Sequence, residues 1–217
     1  MLVLNFMETK KVIIWDFDGP IVDSYQLAFE RTLHHYHDVT KEMHRDLFNG
    51  NIHEELEKLR KKDSAEIDPN FVRESYWRRK IEAAPVLGMI EAIKTLNDDY
   101  EMVINSSGEG DQICTYLDRH NLSPFFKKVY GAEIKSKVEK FKLILDEFKV
   151  TAKDCIMITD TLGDVLEAKK VGIPSVVILW GYQFRRHFGS VKERVVFAEN
   201  PSELPSIIKK HFNENKT

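Results

Sequence analysis

At 217 residues, with 42% hydrophobic residues and a formal net charge of −3, the chain can hold one globular core plus a modest insertion. Slight acidity excludes a general nucleic-acid binder, whose footprint is basic, and no apolar run approaches the ~20 residues of a membrane-spanning helix. Two cysteines, Cys114 and Cys155, are too few for a disulfide framework; they read as buried free thiols of a reducing compartment, so a cytoplasmic location is expected.

In chain order, residues 2–6 are apolar but too few, and lack the basic flank, for a signal peptide. Met7 is a candidate start, with residues 1–6 as an extension. The first predicted element is a strand over residues 11–16. Val12-Ile13-Ile14-Trp15 suits a parallel strand buried on both faces. It ends in Asp16-Phe17-Asp18, two carboxylates at the strand end where open α/β sheets bind ligands. There they can hold a hard cation, attack an electrophile, or merely form an acidic turn.

Asp23-Ser24 then offers N-cap residues, and a polar, helical stretch runs to Pro85. Helices are predicted over residues 24–37, 41–48, 53–62 and 69–83, with breaks at Gly50 and Asp68-Pro69. His34-His35-Tyr36-His37 is not read as a metal site, because only two of its histidines can share a helical face. Arg78-Arg79-Lys80, beside Tyr76 and Trp77, is read as a solvated face.

After Pro85, strands over residues 128–130, 155–159, 175–179 and 195–197 alternate with helical patterns at βαβ spacing. That alternation predicts a parallel sheet with helices on both faces. The run Met102-Val103-Ile104-Asn105 precedes them and ends in Ser106-Ser107-Gly108, hydroxyls on a flexible backbone suited to an anion. Lys137 opens an amphipathic helix in which Phe141, Ile144, Leu145 and Phe148 repeat at helical spacing. Cys155-Ile156-Met157-Ile158-Thr159 leads into Asp160-Thr161-Leu162-Gly163-Asp164, a second acidic pair at a strand end. Trp180-Gly181-Tyr182 could border the same crevice or pack beside it.

In this order, an Asp-x-Asp strand end, a serine strand end, a lysine and an acidic pair resemble the motifs of the haloacid dehalogenase superfamily. Residues 16–24 are similar to its opening segment and residues 160–174 to its closing acidic motif and following helix; the resemblance spans residues 11–208. The subgroup it points to is phosphoglycolate phosphatase-like or β-phosphoglucomutase-like. It implies a Rossmann-like, doubly wound parallel-sheet core over residues 7–22 and 85–217, with an inserted all-helical cap over residues 23–84.

The resemblance also implies roles. Asp16 is the nucleophile that forms an aspartyl-phosphate, and Asp18 is the acid and base for leaving group and water. Ser106, Ser107 and Lys137 bind the phosphate. Mg²⁺ is held by Asp16, the Asp18 carbonyl, Asp160 and Asp164, the last directly or through water. The cap loop over residues 49–54, with Asn51 and His53, selects the leaving group, unless it is a plain turn with Asn51 as N-cap. The expected function is a Mg²⁺-dependent phosphatase acting on a small phosphorylated metabolite, as monomer or homodimer, with no nucleic acid or membrane partner.

The alternatives are a β-phosphoglucomutase-like mutase and a catalytically idle relative that binds through its cap or the basic face of residues 58–62. A dehalogenase is disfavoured by Asp18 and the metal set. Three departures from the family pattern stand out. Pro20 replaces the usual threonine, Thr159 replaces a common glycine, and a missing Lys-Pro-x-Pro signature leaves Lys135 as a rival to Lys137.

Overall fold

A computed structural model describes residues 10–60 and 69–214, with the side chains of residues 60 and 69–72 left aside. The candidate start at Met7, the extension before it, the break at Asp68 and the end of the basic face at Lys61 and Lys62 lie outside the described residues.

Six strands form one parallel sheet in the order β3-β2-β1-β4-β5-β6. They are β1 (Val12–Trp15), β2 (Glu101–Asn105), β3 (Lys128–Tyr130), β4 (Cys155–Thr159), β5 (Ser175–Ile178) and β6 (Val195–Ala198). The helices are α1 (Tyr25–His35), α2 (Lys41–Asp46), α3 (Ile52–Arg60), α4 (Pro69–Glu82), α5 (Met89–Asn97), α6 (Gly110–Arg119), α7 (Lys137–Phe148), α8 (Leu162–Lys170) and α9 (Leu204–Glu214).

Strand periodicity explains the layers. Along β1, Ile13 and Trp15 face one side and Val12 and Ile14 the other. The first side packs with Ile104 and Ile158 against α5, α6 and α9, through residues such as Ile93, Tyr116 and Ile208. The second packs with Val103 and Met157 against Phe141 and Ile144 of α7 and Ala168 of α8. Burial on both faces explains why β1 is an unbroken apolar run; each large side chain so buried contributes about 1.5–3 kcal/mol.

Connections from β1 and from β4 leave on opposite sides of the sheet, so β1 and β4 flank a topological switch point. The crevice at their carboxyl ends is where this architecture exposes strand-end side chains.

Helices α1 to α4 fall between β1 and β2. Where the chain leaves for them and returns, it pairs with itself. Val22 bridges Pro85, and the Val86 amide donates to the Ile21 carbonyl at 2.9 Å. Tyr76 and Trp77 of α4 join the main apolar cluster, while Tyr25, Phe29 and Val39 form a smaller one with Tyr182.

Two expectations need correction. Ser24 sits at the N-cap position of α1 but makes no capping bond, because its hydroxyl is taken by Asp18 and Tyr182. Cys155 is buried in β4, but Cys114 is exposed, since it falls on the face of α6 opposite Ile113, Tyr116 and Leu117.

Candidate active site

Adjacent strands β2, β1 and β4 bring Ser106, Asp16 and Asp160, far apart in sequence, to one crevice. Asp16 extends the ladder by one bond, its amide donating to the Ile158 carbonyl at 2.9 Å. Its carboxylate accepts from the Phe17 amide at 2.9 Å and lies 3.1 Å from Lys137 Nζ. Lys137 is placed by the first turn of α7, which Ser136 caps by accepting from the Glu139 amide at 3.3 Å. Lys135 is exposed, so of the two rival lysines only Lys137 reaches the carboxylates.

Lys137 Nζ also donates to Asp164 Oδ2 at 2.5 Å, and the Thr159 hydroxyl donates to the same oxygen at 2.7 Å. Thr159 Oγ1 in turn accepts from the Thr161 amide at 3.2 Å. The residue that replaces a common glycine is thus an orienting hydroxyl, and its effect falls on Asp164.

Asp160 is fully buried. Oδ2 accepts from the Tyr182 amide at 2.5 Å, while Oδ1 has no hydrogen-bond partner. Glycines make room for it. A Cβ on Gly19 would lie 2.0 Å from Asp160 Oδ2, and one on Gly181 2.2 Å; Gly19 also adopts φ +97°, which glycine permits without strain.

Burial pushes the Asp16 carboxyl up to about 8: Lys137 opposes this, and Asp164 and Asp18 add to it. Asp160 is raised well above the usual carboxylate range by burial and then by Asp16. Lys137 is the reverse case, since burial alone would lower it but Asp16 and Asp164 outweigh that and raise it. Three buried carboxylates face one ammonium, leaving two negative charges uncompensated when all are ionised. A divalent cation answers that excess, and the unpartnered Asp160 oxygen is a ligand atom of the right kind. Asp164 is drawn onto Lys137 and Thr159, and Asp16, Asp160 and Asp164 do not bring ligand atoms all within 4.8 Å of one another.

Asp18 is held from the other side. Ser24 Oγ donates to Asp18 Oδ1, and Lys80 of α4 forms an ion pair with the same oxygen. Lys80 is completely buried, 4.9 Å from the ring centre of Phe17 and 4.2 Å from that of Trp77. This corrects the reading of residues 78–80 as a solvated face. Arg78 and Arg79 are exposed, but Lys80 lies one turn after Tyr76 and turns inward with it. That spacing was the available signal.

Ser106 is buried, its hydroxyl accepting from the Gly108 amide at 3.0 Å; Ser107 lines the cavity beside it. The Ser106 carbonyl accepts from Lys140, a second buried lysine that sequence reasoning missed. Burial, then Lys137, brings Lys140 down to about 8. Its partner is a backbone carbonyl, which no side-chain pattern announces.

The cavity measures about 370 Å³ and is lined by Asp16, Asp18, Ser106, Lys80, Lys137 and His53 among others. His53 Nε2 is buried and unpartnered, and burial, reinforced by Lys140, Lys135 and Lys137, lowers its pKa. Asn51 instead caps α3, accepting from the His53 amide at 3.1 Å, and donates to Glu167 of α8 at 3.1 Å.

Comparison with known proteins agrees with this architecture. The family model described as haloacid dehalogenase-like hydrolase matches residues 13–178. A phosphoglycolate phosphatase of Caulobacter vibrioides is 27% identical over 106 residues, 46% of this chain; the match spans only 45% of that relative's length. A haloacid dehalogenase-like family hydrolase from Streptococcus pneumoniae superposes with a TM-score of 0.72 at 18% identity, covering 92% of this chain and 99% of the other. A Thermotoga maritima protein whose description gives β-phosphoglucomutase as an inferred activity superposes with a TM-score of 0.67 at 19% identity, covering 92% and 99%. At such identities the solved structures share the fold and nothing finer.

Proposed function

The chain belongs to the haloacid dehalogenase-like hydrolase family, and from that premise we propose that it is a Mg²⁺-dependent phosphatase of a small phosphorylated metabolite. The observation that carries this reading is the buried set of Asp16, Lys137, Asp160 and Asp164 at the switch point, with Asp18 beside it.

Asp16, the Asp18 carbonyl and Asp160 would hold Mg²⁺ with water, and Asp164 would join directly or through water. When bound, the ion supplies positive charge that offsets repulsion between the phosphate and the carboxylates. Lys137 adds to that charge, and Ser106 and Ser107 supply further donors to the phosphate oxygens. An Asp16 carboxylate oxygen attacks phosphorus, and the bond to the ester oxygen breaks as Asp18 gives it a proton. Asp18 then takes a proton from water, whose oxygen attacks phosphorus and breaks the bond to Asp16, releasing inorganic phosphate. Ser24 and Lys80 both hold Asp18 Oδ1, which orients the carboxyl and leaves Oδ2 for this transfer.

Residues 23–84 are assigned as the cap and residues 7–22 and 85–217 as the core. The Val22–Pro85 bridge supports a hinge at those positions, and His53 is the cap residue best placed to meet the leaving group. Among the described residues no helix is long and apolar enough to cross a membrane, and a cytoplasmic location remains our reading.

The test is phosphate release from a panel of small phosphate monoesters, with and without Mg²⁺, beside Asp16→Asn. Mg²⁺-dependent release that the variant lacks is expected. No release from any ester, or equal release by Asp16→Asn, overturns the reading; transfer to a sugar in place of release makes the protein a mutase.

A further inference from the structure

Away from the crevice, Glu42 and Asp46 stand one turn apart on α2, and His187 faces them from a short 3-10 turn, Arg185–Phe188, after β5. One ligand atom from each of the three lies within 4.8 Å of the others, the only such group among the described residues. Exposed carboxylates alone would mean little. His187 is a separate observation. Its side chain is 5% exposed, and Nε2 is buried, has no hydrogen-bond partner and points at Asp46 Oδ1 from 3.9 Å, too far for a hydrogen bond.

We propose that Glu42, Asp46 and His187 form a second divalent-metal site, of Zn²⁺ type, that fastens the inserted helices to the segment after β5. The imidazole is arranged for it. Nδ1 accepts from the Phe184 amide at 3.1 Å and lies 3.0 Å from the Phe184 carbonyl, and these contacts fix the ring plane with Nε2 turned toward the carboxylates. One nitrogen and two carboxylate oxygens suit Zn²⁺ or Co²⁺, whereas Mg²⁺ prefers an all-oxygen octahedron.

The neighbouring charges are compatible. Arg186 contacts both oxygens of Glu42, at 2.8 and 2.7 Å, but that pair is more than half exposed, so water readily replaces it. Arg45 is committed elsewhere, to the Tyr182 carbonyl at 2.9 Å and the Tyr25 hydroxyl at 2.7 Å. Asn49 donates to Asp46 Oδ1 at 3.2 Å, holding that carboxylate in place. The consequence follows from location. Gln183 already ties the Arg45 carbonyl and Asn49 to the Leu162 amide of α8, so a cation here would reinforce an existing seam.

The test is calorimetric titration with ZnCl₂ in the Asp160→Asn background, which removes a carboxylate of the proposed Mg²⁺ site. One saturable Zn²⁺ per chain is expected. His187→Ala should weaken it by more than the roughly 10–100-fold that a lost outer-shell partner costs. Glu42→Gln, an exposed change that leaves packing intact, should weaken it too, and Co²⁺ should give a visible absorption band that both changes abolish. Zn²⁺ binding that neither change alters, or no saturable binding to the parent, overturns the proposal. None of these readouts depends on phosphatase activity.

Discussion

Helix α7 and the inserted helices each send one buried lysine to the Asp16-Phe17-Asp18 segment, and the two are held in opposite ways. Lys137 lies between two buried carboxylates, which hold its pKa above the ordinary lysine range against the effect of burial. Lys80 lies among aromatic rings, donates to the Tyr76 hydroxyl at 3.3 Å and has one carboxylate partner, Asp18, whose side chain is 20% exposed; burial prevails and lowers its pKa. The start of α7 therefore fixes a charge, while the insertion keeps one in a setting that favours its loss.

Removing each lysine tests the contrast most strongly. Lys137→Met strands Asp16 and Asp164 without a counter-charge and should cost about 3–5 kcal/mol in urea denaturation at neutral pH. Lys80→Met keeps the aliphatic packing and leaves Asp18 some access to water, so about 1–3 kcal/mol is expected. Equal losses would erase the distinction. If Lys80 orients Asp18, phosphate release should also fall by about 10–100-fold with a displaced pH profile, whereas a purely structural Lys80 would leave the profile in place.

A third prediction concerns the insertion alone. His44 is buried among Tyr25, Phe29 and Phe48, and burial, then Arg45, lowers its pKa to about 4. The unfolded chain binds this proton below about 6.5 and the folded one only near 4, so stability is complete above 6.5 and lost as pH falls towards 4. The loss should be on the order of 3 kcal/mol, and His44→Phe should flatten that part of a melting-temperature-against-pH curve. An unchanged slope in the variant removes His44 as the cause. The smallest expected effect is Glu30→Ala, which breaks an exposed 2.6 Å pair between α1 and α4 and should change stability by less than about 1 kcal/mol. A larger loss would mean that this surface pair helps hold the insertion together.

Legibility in the sequence followed the same division. β3 and β4 coincide with their predicted ranges, and β1, β2, β5 and β6 differ by no more than a residue at either end; the inner strands β1, β2, β4 and β5 are legible because burial on both faces demands near-continuous apolar runs. Asp16, Ser106 and Asp160 were visible because each ends such a run. Lys80 and Lys140 were not read as buried: for Lys80 the one-turn spacing after Tyr76 was the only hint, and for Lys140 a backbone-carbonyl partner leaves no side-chain pattern to find. Ser24 read as a helix cap because local signals cannot register a competing partner such as Tyr182, distant in sequence. Helix ends in the insertion shifted as well: the run predicted over residues 41–48 divides into α2 and a 3-10 turn over Leu47–Asn49.

By itself, then, the sequence determined the strands, the parallel α/β class, the family and the strand-end carboxylates, because apolar periodicity and terminal polar residues are local properties of a buried strand. Only the tertiary structure decided which lysine meets which carboxylate, that Thr159 orients Asp164, that Asp160 keeps an unpartnered oxygen, and that Glu42, Asp46 and His187 converge. Those are contacts between segments far apart in the chain. Their energies depend on distance and burial, which exist only once the chain has folded.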